Sequence, residues 1–241
     1  MSGSLSRRTA MKSVGFGSLA MAFAGFTGSN GRASDQTAMI LNEMKEYDPA
    51  GPVKGGAPKV RKMTAANLRS AFGGESMAHM RYTIWGQKAE QDGFKNTGRL
   101  FRAIAAAEKV HASNHFSVLG EVEGGFLGAS MAEYGYGATV NNLQGGINGE
   151  LFEVNEMYPA YLEVAQRQKE MDAARTFHYA LATEKMHAHM FKQAKMAVKS
   201  GNDVDLGAVH VCEVCGWTTE GELPGKCPIC DATQDEFVSF A

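Results

Sequence analysis

The chain has 241 residues, of which 44% are hydrophobic and 21% charged, with a formal net charge of −2. That is enough material for one good-sized domain and a small appendage. No basic stripe or arginine-rich arm stands out, so the sequence lacks the electrostatic footprint of a nucleic-acid-binding protein and no nucleic acid is expected as a partner.

Residues 1–33 differ from the rest. A twin-arginine run, "SRRTAMK" (Ser6 to Lys12), precedes an apolar segment from Val14 to Phe26 and then "NGRAS", with small residues at Gly31 and Ala33. A basic start, an apolar middle and a small-residue end in this order resemble a Tat-type export signal, cleaved after Ala33, that would carry a folded protein to the periplasm. The apolar stretch is too short and too glycine-rich for a stable membrane span. Residues 34–62 contain "YDPAGPVKGGAPK", with three of the six prolines, and read as an extended arm or linker.

From Thr64 the pattern turns helical. Helices are expected at about 64–91, closed by Asp92-Gly93, at about 96–121, at about 139–167 with Pro159 breaking or kinking it, and at about 171–199, ended by Gly201. The first and last joints are short, whereas the middle one, roughly 123–138, is long and glycine-rich. This is the pattern of an all-α four-helix bundle with one long crossover, placed at 63–200.

An internal repeat runs through it. "RLFRAIAAAEKVHA" (Arg99 to Ala112) and "RTFHYALATEKMHA" (Arg175 to Ala188) share seven of fourteen positions without a gap. Glu, Lys and His are among the shared residues, and core packing does not ask for them. At ~100° per residue, Glu184 and His187 stand one turn apart on one face, as do Glu108 and His111. His189 and His178 fall on the far side. His115 returns to the stripe of Glu108 but ~10 Å further along the axis, so it is expected to be structural. Glu75 lies 33 residues before Glu108 and Glu150 lies 34 before Glu184, with Glu153 one turn beyond Glu150.

The inward set is thus Glu75, Glu108, His111, Glu150, Glu153, Glu184 and His187. Five carboxylates meeting unpaired in a bundle core would be costly, and the escapes are outward-facing side chains, protonation or bound cations, of which two divalent metals fit this count well. A glutamate from each of two helices plus Glu-x-x-His from the other two is the di-iron or di-manganese carboxylate pattern. The four cysteines, Cys212, Cys215, Cys227 and Cys230, follow C-x2-C-x11-C-x2-C with Gly216 after the first pair. That spacing points to a tetrathiolate knuckle at 201–241 rather than to two disulfides, and geometry accepts iron or zinc there.

A di-metal bundle followed by a four-cysteine knuckle resembles the rubrerythrin family. The resemblance rests on "FGGESMAHMRYTIW", "AAAEKVH", "GELFEVNEMYP", "ATEKMHAH" and "CEVCG…CPIC", and spans Thr64 to the end of the chain. It implies a ferritin-like domain holding two non-haem irons and a rubredoxin-like domain holding one. The activity it implies is peroxidase, reduction of hydrogen peroxide to water in oxidative-stress defence, with electrons relayed through the tetrathiolate iron from an unidentified donor. By motif match, Glu108 and Glu184 would bridge the irons, Glu150 and His187 would complete one, and Glu75 would hold the other. The last ligand of that second iron would switch between Glu153 and His111 with redox state. Tyr82 would be a supporting tyrosine. The family also implies a homodimer or higher homo-oligomer, in which the knuckle of one subunit lies near the centre of its partner. His79 and Asp231 depart from the family pattern, His79 being expected at the surface. Two other functions fit parts of the sequence: a ferroxidase or iron-sequestering protein, and a non-catalytic zinc-knuckle interaction module.

Overall fold

The computed structural model describes residues 61–119 and 137–241; the export signal, nearly all of the arm, and the crossover lie outside the described residues. Helices α1 (Arg61–Gln91) and α2 (Lys95–Leu119) form one hairpin. The second is built from α3 (Thr139–Phe152), a π-helical turn (Glu153–Met157), α4 (Tyr158–Arg167) and α5 (Met171–Lys199). A small antiparallel sheet follows, with β1 (Val209–Cys212) between β2 (Thr218–Glu220) and β3 (Phe237–Phe240). The molecule is therefore a four-helix bundle carrying a small four-cysteine strand domain. Among the described residues no helix is long and apolar enough to cross a membrane.

The α1–α2 turn closes on Gly93, whose φ of +92° suits glycine. Beyond it the two helices touch backbone to backbone: a β-carbon on Gly98 would stand 2.9 Å from the Gly86 carbonyl oxygen. Between α3 and α4 the irregularity expected at Pro159, a break or a kink, takes the form of a π turn just before it. The Tyr158 N–H donates to the Glu153 carbonyl five residues back, and Pro159, which has no N–H to donate, sits in the first turn of α4. The π turn inserts one extra residue and keeps the helix continuous.

Two apolar clusters bracket the middle of the bundle. One gathers Tyr82, Trp85, Phe101, Ile104, Leu143 and Phe191; the other Leu68, Tyr158, Ala165 and Phe177. On α1, Glu75 lies between Ala71 of the second cluster and Ala78 of the first, and on α5 Glu184 lies between Ala180 and Met190. The acidic residues thus form a polar layer with dry core above and below.

The connection to the sheet is pinned to the bundle. Asp203 accepts the backbone N–H of Asn96 (2.7 Å) and of Thr97 (3.0 Å) at the start of α2, where a carboxylate meets unpaired N–H groups and the positive end of the helix dipole. Arg99 Nη2 donates to the Leu206 carbonyl at 2.7 Å.

Candidate metal centre

Six of the seven inward residues named from the sequence converge and are buried: Glu75, Glu108, His111, Glu150, Glu184 and His187. The small neighbours Ala105, Ala107, Ala112, Ala180 and Ala188 let the helices approach closely around them. They form two overlapping groups, Glu75–Glu108–His111–Glu184 and Glu108–Glu150–Glu184–His187, each with ligand atoms within 4.8 Å of one another.

The shared members divide their oxygens between the halves. Glu184 Oε1 lies 2.8 Å from His111 Nδ1, and its Oε2 lies 2.6 Å from His187 Nδ1. Glu108 does the same, with Oε2 3.0 Å from His111 Nδ1 and Oε1 3.2 Å from His187 Nδ1. Glu75 belongs to the His111 side, at 3.8 Å, and Glu150 to the His187 side, at 3.7 Å. Two carboxylates with one oxygen in each half is the geometry of bridging ligands.

Glu153 is the seventh. It is half-buried on the π turn and stands outside both groups, where His111 fills the place. Its charge is still felt by Glu75. A π turn carries this carboxylate, and such turns are frequent at functional sites.

Electrostatics show what the cluster needs. Burial, then the neighbouring carboxylates, push Glu75, Glu150 and Glu153 well above the usual carboxylate range. Burial would also raise Glu184, but His111 and His187 on either side outweigh it and hold it low. Burial would lower His111, yet Glu184 and Glu108 push it up to about 9. Despite short N···O separations, several buried atoms facing this layer make no hydrogen bond of proper geometry: Glu75 Oε2, Glu108 Oε1, Glu150 Oε2, both Glu184 oxygens and His187 Nδ1. Buried polar atoms are rarely left unsatisfied, and oxygens with imidazole nitrogens in this number suit two divalent cations. The donor set fits.

Tyrosines hold the outer carboxylates. The Tyr82 hydroxyl donates to Glu150 Oε1 at 2.5 Å, and the Tyr158 hydroxyl donates to Glu75 Oε1. Each reaches across to the carboxylate of the other hairpin. Tyr82 was expected from the sequence and Tyr158 was missed. The available signal was symmetry: Tyr82 follows Glu75 by seven residues and Tyr158 follows Glu150 by eight, the extra one being the π turn. Arg81 was missed too; it is buried, stacks over the Tyr82 and Trp85 rings, and sits near Glu150 and Glu153. His79 does not join the cluster. It is half-buried, and its Nδ1 bonds the Ala105 carbonyl at 2.6 Å, tying α1 to α2. His178 and His189 are exposed, as expected.

The four cysteines are unbridged. Cys212 and Cys230 sulfurs lie 3.7 Å apart and Cys215 and Cys227 sulfurs 3.5 Å apart. A tetrahedron with metal–sulfur bonds of roughly 2.3 Å has edges of about 3.8 Å, whereas a disulfide needs roughly 2.05 Å. The loops that carry them turn at Gly216 and at Asp231, whose φ of +62° an aspartate tolerates. Trp217 N–H points to Cys215 Sγ at 3.5 Å.

This knuckle covers the bundle site of its own chain. His187 Nε2 meets Thr218 Oγ1 at 2.9 Å, and Asn114 Nδ2 donates to the Val214 carbonyl at 2.9 Å. Gly216 lies so close that a β-carbon there would be 2.2 Å from His111 Nε2. The tether pinned by Asp203 and Arg99 sets this docking.

Comparison with known proteins agrees with this construction. Residues 66–195 match the Rubrerythrin family model, and residues 210–238 match the model described as Rubrerythrin, rubredoxin-like domain. The chain belongs to the rubrerythrin family. It is similar to Rubrerythrin-2 of Clostridium acetobutylicum, at 52% identity over 178 residues, covering 74% of this chain and 97% of that protein. Nigerythrin of Nitratidesulfovibrio vulgaris is 33% identical over 177 residues, covering 73% and 86%. The solved structure of fully reduced, all-ferrous nigerythrin superposes with a TM-score of 0.65 at 31% identity, covering 79% of this chain and 91% of that one. The cofactors of this rubrerythrin are accordingly a di-iron centre in the bundle and a metal in the rubredoxin-like four-cysteine site.

Proposed function

We propose that this rubrerythrin is a peroxidase that reduces hydrogen peroxide to water. In this reading Glu108 and Glu184 would bridge two irons, Glu150 and His187 would hold one, and Glu75 would hold the other, whose last ligand would be His111 or Glu153 according to redox state. The observation that carries it is the joint placement of a bridged di-metal ligand set and a tetrathiolate knuckle within one chain, with Thr218 bonded to His187. Iron storage alone would have no use for the second feature.

Bound irons supply the two electrons that the reaction H2O2 + 2e− + 2H+ → 2H2O consumes. The protein does the rest. Glu108 and Glu184 fix the metal spacing by offering one oxygen to each half. Tyr82 and Tyr158 lock the terminal carboxylates by taking one oxygen each. The apolar clusters on both sides keep bulk water out, which strengthens every interaction within the layer. The segment from Cys215 to Thr218 joins a thiolate sulfur covalently to the hydroxyl that bonds His187, and Gly216 brings the same backbone against His111. Electrons drawn in at the sulfurs thus have a short path to both histidines.

Adding peroxide to anaerobically reduced protein with an artificial donor tests this reading. Sustained turnover is expected. Stoichiometric oxidation without turnover would favour ferroxidase chemistry instead, and zinc as the only metal would favour an interaction module. We further propose that residues 1–33 direct Tat export to the periplasm, on the order of their basic, apolar and small residues. Cell fractionation showing the protein only in the cytoplasm would remove that part.

A further inference from the structure

A buried histidine of the bundle stands outside the ligand set. His115, one turn beyond His111, is completely buried between α2, α4 and α5. Its Nε2 lies 2.9 Å from the Tyr158 hydroxyl, and its Nδ1 lies 3.1 Å from Thr176 Oγ1. Tyr158 in turn donates to Glu75 Oε1.

Counting protons fixes the polarity. A phenol has one proton; with Glu75 ionised, as it is when holding a metal, that proton points at Glu75, so the Tyr158 oxygen must accept from His115. His115 therefore carries its proton on Nε2. Burial, then the neighbouring His111, hold its imidazolium form down to about 3, so the ring is neutral and Nδ1 is a bare acceptor. The Thr176 hydroxyl supplies the donor. Every hydrogen bond in the row Thr176, His115, Tyr158, Glu75 then runs in one direction.

The other half is built differently. Behind Tyr82, which donates to Glu150 Oε1, the nearest donor is Arg81 Nη2 at 3.4 Å, a permanent cation. The two tyrosines do equivalent work, backed by unlike groups.

We propose that Thr176 and His115 are positioning residues for the Glu75 half of the centre: they hold the Tyr158 hydroxyl as a donor to Glu75 Oε1, and so present the carboxylate to its metal in one orientation. This rests on the ligand roles given under the proposed function, but not on any reaction with peroxide.

The test uses the full chain with iron already in the four-cysteine site and cobalt(II) as the only metal added to the bundle. Chelator competition and the visible cobalt spectrum follow the two bound ions without turnover. In His115→Leu, which keeps the apolar contacts with Phe177, one cobalt is expected to leave about tenfold faster than in the wild type, the low end for a lost partner of a ligand. The other should leave at the wild-type rate. His115→Gln, whose amide N–H can donate to Tyr158, should restore retention, and Thr176→Val should loosen the same ion. Should leucine at 115 prevent folding, Thr176→Val alone carries the test. Equal retention of both ions in the variants overturns the inference, as does equal loss of both or failure of glutamine to rescue. A protein that never turns over peroxide yet shows the unequal cobalt loss would keep this inference and lose the functional one.

Discussion

At the scale of residues, the centre is defined by where each oxygen and nitrogen goes. Glu184, like Glu108, directs one oxygen toward each histidine, and neither Glu184 oxygen has another partner. Glu184→Ala is expected to abolish the di-iron absorption while leaving the rubredoxin-like visible spectrum of the four-cysteine site intact. Persistence of both signals would show that the ligand set is wrong. Most of this set was legible in the sequence, because Glu-x-x-His occurs twice in register and a buried carboxylate without a cation is too costly to be accidental. The supporting residues were not. Tyr158 sits beside Pro159 and reads as the end of a helix, and His115 reads as packing because nothing in a linear sequence shows that Tyr158 and Thr176 come to its two nitrogens. His189 shows the converse: its offset from His187 alone placed it outward, and it is exposed.

At the scale of elements, the π turn is the decisive departure from regular structure. The helical pattern of 139–167 was readable, and so was the irregularity near Pro159, but its form was not. A periodicity argument assumes a constant ~100° per residue, and a single inserted residue breaks that assumption without leaving a compositional mark. The turn carries Glu153 and ends just before Tyr158, absorbing the one extra residue between Glu150 and Tyr158. Deleting the exposed Asn155 is expected to restore regular α-helix with Tyr158 seven residues after Glu150, as Tyr82 is after Glu75, so that Tyr158 still meets Glu75 while Glu153 loses its π turn. Circular dichroism should show a folded bundle that loads two metals when reduced but loses metal on oxidation, when Glu153 is needed. Full metal retention on oxidation would mean the turn has no role in the centre.

At the scale of the whole molecule, the bundle and the knuckle act as one device because the chain fastens them together twice. Asp203 and Arg99 anchor the tether at one end of α2, and Asn114, Gly216 and Thr218 dock the cysteine loop over His111 and His187. The sequence announced both domains through their spacing motifs, but not their contact, which depends on a glycine that reads as an ordinary turn residue. Gly216 has a φ of +83° and no room for a side chain against His111. Gly216→Ala is therefore expected to keep both metal spectra while separating the knuckle from the bundle, slowing reoxidation of the knuckle by at least tenfold. Unchanged reoxidation would show that this contact carries no electrons. The most direct measurement on the account as a whole is rapid mixing of the fully reduced wild-type protein with hydrogen peroxide in excess of one equivalent, without any donor, while following the visible absorbance of the four-cysteine iron. This iron is expected to become oxidised within the same experiment, after the bundle centre, as its electron passes through Cys215–Thr218. A four-cysteine iron that stays reduced while the bundle centre is oxidised would contradict it.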